Sequence, residues 1–182
     1  MDEGRLVRVS RFLSKHLRHQ PGRIGLTLAP GGWVTVEALL AACARAGMPL
    51  SRAELNEVVA RNNKQRFAFD ESGTRIRASQ GHSVPVDLEL EPRDPPATLY
   101  HGTGAGAVPA IQHEGLRKMR RHHVHLSPDA ETAGAVGQRH GKPIVLGIRA
   151  VEMSAAGHEF FISENGVWLT DRVPPEFIDF PA

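Results

Sequence analysis

Apolar and polar positions in the first half of the chain follow the periods of three helices and a hairpin. Steps of three and four between Arg5 and His19 predict an amphipathic helix, and a second is predicted from Val36 to Ala46. The capping-box sequence from Ser51 to Glu54 opens a third. Alternating runs on either side of a Ser-Gly turn at 72–73 then predict a β-hairpin. This order of elements is typical of a winged-helix domain. Many such domains bind nucleic acid, and many others mediate only contacts with proteins.

The second half of the chain has the pattern of short strands with few helices. Strands are predicted over 98–101, 123–126, 143–149, 159–162 and 167–169. Helices are predicted over 107–113 and 128–136, the latter with Ser127 as its N-cap and Pro128 as its first residue. The predicted fold class is therefore α+β, with a strand-rich second lobe.

A proline-rich segment separates the two halves. Residues 84–96 contain four prolines interleaved with acidic residues, a composition that cannot continue a helix and suits an exposed linker. The predicted organisation is a first lobe over 1–84, a linker over 85–97 and a second lobe over 98–182.

The net charge of +2 conceals an asymmetry between the two halves. Residues 1–84 contain 13 Lys and Arg against 7 Asp and Glu, whereas residues 85–182 contain 9 against 13. A basic first half suits a polyanionic partner, but arginines that only solvate helix faces would give the same count. In the first helix, four cations lie opposite the apolar face: Arg8, Arg11, Lys15 and Arg18.

Other features of the composition restrict the environment of the protein. The chain has no apolar run of about 18 residues, which predicts no membrane span, and its first residues lack the apolar core of a signal peptide. The single cysteine, Cys43, lies in an alanine-rich helical stretch and is interpreted as a small buried hydrophobe. A cytoplasmic location is expected, and nothing in the sequence requires more than a monomer.

Two segments could carry chemistry. The sequence Tyr100-His-Gly-Thr103 is predicted to end a strand in a glycine turn, where backbone can approach a ligand closely. The glycines that follow run G-x-G-x-G without a βαβ pattern, which disfavours a Rossmann site. The stretch 117–127 (RKMRRHHVHLS) is compatible with a zinc site, an anion site or a solvated basic turn. An anion pocket fits best, because arginines supply forked donors and no cysteine accompanies the histidines.

Several motifs together resemble one family. Ser10-Arg-Phe-Leu-Ser-Lys-His-Leu-Arg-His-Gln-Pro21 resembles the opening S-[KR]-x-L-S-x-x-L-R-H-x-P of tRNA-splicing-type RNA 2′-phosphotransferases. Further blocks follow in the family's order, namely KQRF at 64–67, ASQGHS at 78–83, YHGT at 100–103, the stretch 118–127 and NGVWLT at 165–170. The resemblance covers residues 6–175.

The resemblance implies a winged-helix-like RNA lobe and an ADP-ribosyltransferase-like lobe that binds NAD⁺, with the active site between them and no metal. It implies a catalytic set of Arg18, His19, Arg66 and Arg121. Arg121 rather than Arg120 aligns with the family arginine, although the two are adjacent. The NAD⁺-binding positions it implies are His101, Gly102, Thr103, His125, Ser127 and Val167.

The implied reaction has two steps. The 2′-phosphate of the RNA attacks the ribose of NAD⁺ and expels nicotinamide, and the ADP-ribosylated RNA then yields 2′-OH RNA and ADP-ribose 1″,2″-cyclic phosphate. One alternative is an ADP-ribosyltransferase that stops after the first step and caps phosphorylated ends of DNA or RNA. Another is a winged-helix nucleic-acid-binding protein that only senses NAD⁺ or ADP-ribose.

Overall fold

The computed structural model describes residues 1–61 and 65–181 of the chain. These residues form two compact units, Met1–Glu89 and Leu90–Ala182, which we call unit 1 and unit 2. The division between them falls within the segment 85–97, which the sequence predicts to be a linker. Lys64, the first residue of the KQRF motif, lies outside the described residues.

Among its described residues, unit 1 forms the three helices that the periodicity predicts. They are α1 (Glu3–Arg18), α2 (Val36–Arg45) and α3 (Arg52–Ala60). Helix α1 begins after Asp2, whose side chain accepts a hydrogen bond from the Arg5 N–H. Helix α3 begins with the predicted capping box between Ser51 and Glu54. Short 3₁₀ turns lie at Pro21–Ile24 and Pro30–Gly32.

A small antiparallel sheet completes unit 1. Its strands are β1 (Val34–Thr35), β2 (Phe67–Phe69) and β3 (Arg75–Ala78), in the order β1-β3-β2. The β2–β3 pair confirms the predicted hairpin. The sheet packs on the apolar face of α1, whose four buried core residues are Leu6, Val9, Leu13 and Leu17.

Unit 2 consists of short strands with three intervening α-helices among its described residues. Its helices are α4 (Val108–Glu114), α5 (Ala130–Gly137) and α6 (Ala150–Ala155). Its strands are β4 (Thr98–Gly104), β5 (Leu116–Arg117), β6 (Val124–Leu126), β7 (Pro143–Arg149), β8 (Phe160–Ile162), β9 (Trp168–Thr170), β10 (Arg172–Val173) and β11 (Ile178–Asp179). Helix α6 and the two-residue strands β5, β10 and β11 were not predicted from the sequence.

Three antiparallel sheets organise unit 2, in the orders β11-β7-β4, β6-β9-β8 and β10-β5. Strands β4 and β7 pair along their whole length, from Thr98 opposite Arg149 to Gly104 opposite Pro143. A main-chain bridge between Tyr100 and Ser127 links β4 to the end of β6. The described chain thus has a mixed α and β fold, as predicted, and its sheets are small and antiparallel.

Two local predictions for unit 2 are wrong. Helix α5 begins at Ala130 rather than Pro128, and its N-cap is Asp129 instead of Ser127, because the carboxylate accepts hydrogen bonds from both the N–H and the hydroxyl of Thr132. Strand β4 does not end in a glycine turn after His101, since it continues to Gly104.

Each unit has its own apolar core. Cys43 is fully buried in the core of unit 1, and this burial raises the pKa of its thiol to about 11. No helix among the described residues is long and apolar enough to cross a membrane.

Candidate active site

The C-terminal end of α1 presents Arg18 and His19 side by side. The helix stops here because Pro21 pushes Gln20 out of the helical conformation, and the His19 N–H makes the last helical bond, to the Lys15 carbonyl. Arg18 is half-buried and His19 is exposed. The predicted pair therefore lies at the C-terminal end of α1, where Arg18 is the last helical residue and His19 is the C-cap.

Ser83 fixes this end of α1. Its N–H donates to the Arg18 carbonyl at 2.8 Å, which satisfies an acceptor that the helix leaves open. Its hydroxyl lies 2.9 Å from Nδ1 of His19 and orients the imidazole ring. Ser83 belongs to the ASQGHS block that resembles the family, but its role was not predicted from the sequence.

Arg66 is held beside Arg18 within unit 1. It directly precedes β2, and its carbonyl accepts a 2.9 Å hydrogen bond from the Ser79 N–H and a long one, 3.5 Å, from the Arg18 guanidinium. The Ser79 hydroxyl donates to the carbonyl of Gln65, whose φ of 40° is in the left-handed region. The segment 79–83 thus connects all three predicted catalytic residues of this unit: Arg18, His19 and Arg66.

A second group of predicted residues meets in unit 2. Nη1 of Arg121 donates to Nδ1 of His125 at 3.0 Å, and Nδ1 of His101 donates to the His125 carbonyl at 3.0 Å. These contacts define the neutral tautomers: His125 carries its proton on Nε2, and His101 carries its proton on Nδ1. Nε2 of neutral His101 is consequently a hydrogen-bond acceptor. Arg120 is exposed and makes no hydrogen bond or ion pair with another described residue.

The environment of His101 favours its neutral form. Burial lowers the pKa of His101 below the ordinary 6.5, and the positive charges of Arg121 and His140 lower it further. The hydrogen bond to the His125 carbonyl opposes this shift. At neutral pH the imidazole is therefore uncharged and can accept a hydrogen bond through Nε2.

The two glycines of β4 make room for neighbouring backbone. A Cβ on Gly102 would lie 1.6 Å from the Ala133 carbonyl oxygen, and one on Gly104 would lie 2.1 Å from the His140 carbonyl oxygen. The sequence predicts that the backbone at Gly102 can approach a ligand closely. In the structure, the neighbour that excludes a side chain at this position is helix α5. Thr103 is buried between the two glycines.

Ser127 and Val167 lie at one end of the β6-β9-β8 sheet. Ser127 follows β6, and Val167 precedes Trp168, the β9 partner of Leu126. The turn before Val167 is built on Ser163, whose buried hydroxyl accepts the Val167 N–H at 3.2 Å. Ser163, like Ser83, holds neighbouring backbone and was not predicted from the sequence to have a role. It lies two residues before the 165–170 block.

No described residues form a group of three or more His, Cys, Asp or Glu side chains that could hold a metal ion. Lys118, in the same basic stretch as Arg121, is paired with Asp171 at 2.5 Å. The predicted residues thus supply two arginines and a histidine in unit 1. In unit 2 they supply one arginine and two histidines whose contacts suit the neutral imidazole. Such sets bind anions through bidentate donors.

Comparisons with known proteins point to one family. Residues 4–172 match the model of a family described as "RNA 2'-phosphotransferase, Tpt1 / KptA family". The chain is 60% identical over 178 residues to a protein of Trichormus variabilis, with 98% of each chain covered. It is also 60% identical over 185 residues to a protein of Streptomyces griseus, again with 98% of each covered, and 52% identical over 178 residues to one of Rhodopirellula baltica, with 97% of each covered. All three carry the name "Probable RNA 2'-phosphotransferase".

Proposed function

This chain belongs to the RNA 2′-phosphotransferase, Tpt1 / KptA family, and we propose that it removes an internal 2′-phosphate from RNA with NAD⁺ as co-substrate. The observation that carries the proposal is the placement of the candidate residues. Arg18, His19 and Arg66 meet in unit 1, and Arg121 contacts His125 in unit 2.

The two units have the roles that the family resemblance implies. Unit 1 is a winged-helix-like RNA lobe, an inference supported by its three helices, its small antiparallel sheet and its excess of basic residues. Unit 2 is an ADP-ribosyltransferase-like lobe that binds NAD⁺. In support of this role, strand-borne polar groups on β4 and β6 lie beside an apolar position at Val167.

Three arginines neutralise the reacting phosphate. A 2′-phosphate is largely dianionic at neutral pH, since its second pKa is about 6, and it needs no general base to act as a nucleophile. Its needs are charge neutralisation and alignment, which guanidinium groups provide bidentately. Arg18, Arg66 and Arg121 supply these donors. An apolar residue at position 167 agrees with such a nucleophile, because a carboxylate there would repel it.

In the first step, a phosphate oxygen of the RNA attacks C1″ of the nicotinamide ribose. The C1″–N bond breaks, and nicotinamide leaves with the bonding electron pair. His101, through its bare Nε2, accepts a hydrogen bond from a ribose hydroxyl and orients this substrate. The remaining positions proposed to bind NAD⁺ are Gly102, Thr103, His125, Ser127 and Val167.

In the second step, the ribose O2″ attacks the phosphorus and its proton passes to the solvent. The bond between phosphorus and the RNA 2′-oxygen breaks, which leaves ADP-ribose 1″,2″-cyclic phosphate. His19 donates a proton or a hydrogen bond to the departing 2′-oxygen, which becomes a 2′-hydroxyl. The ring is presented for this role at the end of α1 by Ser83.

The test is an assay of the purified protein with NAD⁺ and an oligoribonucleotide that carries one internal 2′-phosphate. Both RNA and nucleotide products are followed, and the same oligonucleotide without the phosphate serves as the control. Formation of 2′-OH RNA, nicotinamide and ADP-ribose cyclic phosphate is expected. Accumulation of ADP-ribosylated RNA as the final product would instead indicate a phosphate-capping transferase. Absence of NAD⁺ consumption would contradict both activities.

The division of labour between the two steps has its own test. His19→Ala removes the donor for the leaving 2′-oxygen, so nicotinamide release should continue while ADP-ribosylated RNA accumulates. Single-turnover assays that measure nicotinamide and RNA species separately distinguish the steps. A variant that fails to release nicotinamide would assign His19 to the first step.

A further inference from the structure

The basic residues of α1 divide into two sets. Arg5 is engaged: it donates to the Glu54 carboxylate at 2.7 Å and to the Pro49 carbonyl at 2.8 Å. Arg8, Arg11 and Lys15 are exposed, and none of them makes a hydrogen bond or an ion pair with another described residue. We call these three residues the α1 stripe. Arg8 interacts electrostatically with Asp2, whose pKa is lowered mainly by its hydrogen bond from the Arg5 N–H and less by the charge of Arg8.

The α1 stripe is a continuous feature of one helix face. At about 100° per residue, its members and Arg18 fall within roughly 80° of each other, on the side opposite the buried apolar residues. At 1.5 Å per residue, Arg8 and Arg18 are about 15 Å apart along the axis. The stripe therefore runs along the helix and ends at the candidate catalytic pair, Arg18 and His19.

Among the described residues of unit 1, no acid forms an ion pair with the α1 stripe. The carboxylates on the other side of α1 already have partners: Glu3 pairs with Arg61, Glu54 with Arg5, and Glu57 with Arg61 and the N-terminal amine. Arg8–Arg11 and Arg11–Lys15 are like-charged neighbours at three- and four-residue spacing, which destabilises an isolated helix. A face that serves only for solvation normally interleaves acids with bases. This one contains no acid.

We propose that the α1 stripe binds the phosphodiester backbone of the RNA substrate adjacent to the 2′-phosphate. The inference rests on the proposed function, which supplies the polyanion and places its reacting phosphate at the end of the stripe. Cations spaced along a helix match successive phosphates, and the stripe has no aromatic side chain on which a base could stack. It therefore binds RNA without reading its sequence and aligns the strand with Arg18 and His19.

The test compares RNA affinity and its salt dependence between the wild type and the variant R8Q/R11Q/K15Q. Glutamine preserves helix propensity, and none of the three residues is in the catalytic set. Binding of a labelled 2′-phosphorylated oligoribonucleotide is measured by fluorescence anisotropy without NAD⁺. Loss of three phosphate contacts should flatten the slope of log K against log salt by about 2, so that between about 50 and 200 mM salt the wild type loses roughly 20-fold more affinity than the variant.

Two controls make the outcome specific. Arg11→Gln is compared with Arg45→Gln, which removes one exposed helical arginine of the same unit away from the stripe. A 2′-phosphorylated dinucleotide, too short to reach Arg8 and Arg11, should lose less turnover in the triple variant than a longer 2′-phosphorylated oligoribonucleotide does.

Equal slopes and affinities for the wild type and the triple variant would overturn the proposal. So would an effect of Arg45→Gln as large as that of Arg11→Gln, since net charge alone would then explain the result. A wild-type protein that fails to turn over the 2′-phosphorylated oligoribonucleotide would contradict the proposed function. The binding comparison does not depend on turnover and would still decide the role of the stripe.

Discussion

At the scale of single residues, Ser83 is the clearest positioning group of the candidate site. Its hydroxyl is 2.9 Å from Nδ1 of His19. Ser83→Ala removes this contact and leaves the main-chain bond to the Arg18 carbonyl in place. One hydrogen bond contributes about 1 kcal/mol, so the rate of the second step should fall about fivefold, while the KM for NAD⁺ stays unchanged.

The measurement is the rate of conversion of ADP-ribosylated RNA to products. Ser83→Thr retains the hydroxyl and should restore most of that rate. A wild-type rate in Ser83→Ala would mean that the hydroxyl does not orient the ring.

The pKa of His101 reports the contact between Arg121 and the histidines without any substrate. The charge of Arg121 lowers this pKa, after burial as the larger cause. Arg121→Gln should therefore raise the pKa of His101 toward its ordinary value of 6.5, and imidazole NMR during a pH titration measures the shift. Arg120→Gln is the matched control and should have a smaller effect. Equal shifts in the two variants would argue that Arg121 does not lie beside His101 in solution.

At the scale of elements, the packing of β4 against α5 requires a residue without a side chain at position 102. A Cβ at Gly102 would meet the Ala133 carbonyl oxygen at 1.6 Å, and neither strand nor helix backbone can move without breaking its own hydrogen bonds. Gly102→Ala should destabilise unit 2 by roughly 3 kcal/mol or more. Gly106→Ala is the control, since nothing lies within 4 Å of its Cβ position. Urea unfolding of both variants tests this. Similar midpoints for the two would contradict the packing.

The β2–β3 turn has a predicted dependence on pH. The pKa of Asp70 is lowered to about 2 from 3.8, first by the hydrogen bond from the Arg75 N–H and then by the Arg75 and Ser72 side chains. The folded-state pKa is the lower one, so ionised Asp70 stabilises unit 1 above about pH 4, and this stabilisation is lost as the pH falls toward 2. Asp70→Asn should thus be less stable than the wild type near neutrality. The difference in urea midpoint between the wild type and Asp70→Asn should become smaller as the pH falls toward 2. A difference that does not change with pH would contradict the lowered pKa of Asp70.

Elements with long or strongly signalled patterns could be predicted from the sequence. The periodicity of α1 and the capping box of α3 are local signals, and the structure confirms both. Helix α5 shows the limit, because Ser127 and Asp129 are both capping residues and only the contacts of Thr132 decide between them. Two-residue strands such as β5 depend on a partner 55 residues away in the chain and leave no local pattern.

The residues of the candidate site remain a prediction from the family motifs, and their contacts could not be predicted from the sequence. The family motifs indicated Arg18, His19 and Arg66, whereas the roles of Ser79 and Ser83 follow from tertiary hydrogen bonds that no spacing reveals. The packing of Gly102 against helix α5 was not predictable for the same reason, since α5 is distant in sequence and close in space.

At the scale of the whole molecule, the boundary of unit 1 lies beyond the predicted one. Leu88 is buried and lies within 3.5 Å of the Cβ position of Gly32, and the Gly31 N–H donates to the Asp87 carbonyl at 2.7 Å. A fragment of residues 1–89 should therefore be more stable than one of residues 1–84. Burial of one leucine accounts for about 2 kcal/mol of the difference. Thermal unfolding followed by circular dichroism measures it, and equal midpoints would favour the shorter boundary.

The burial of Cys43 has a practical consequence for spectroscopy. It is the only cysteine of the chain, its side chain is fully buried, and its thiol pKa is raised to about 11. We therefore expect it not to react with alkylating dyes at neutral pH. The native protein therefore needs no cysteine removed before a single labelling site is introduced. A cysteine introduced at the exposed position 4, one turn before Arg8 on the same helix face, would be the sole attachment point for a fluorophore that senses an arriving oligonucleotide.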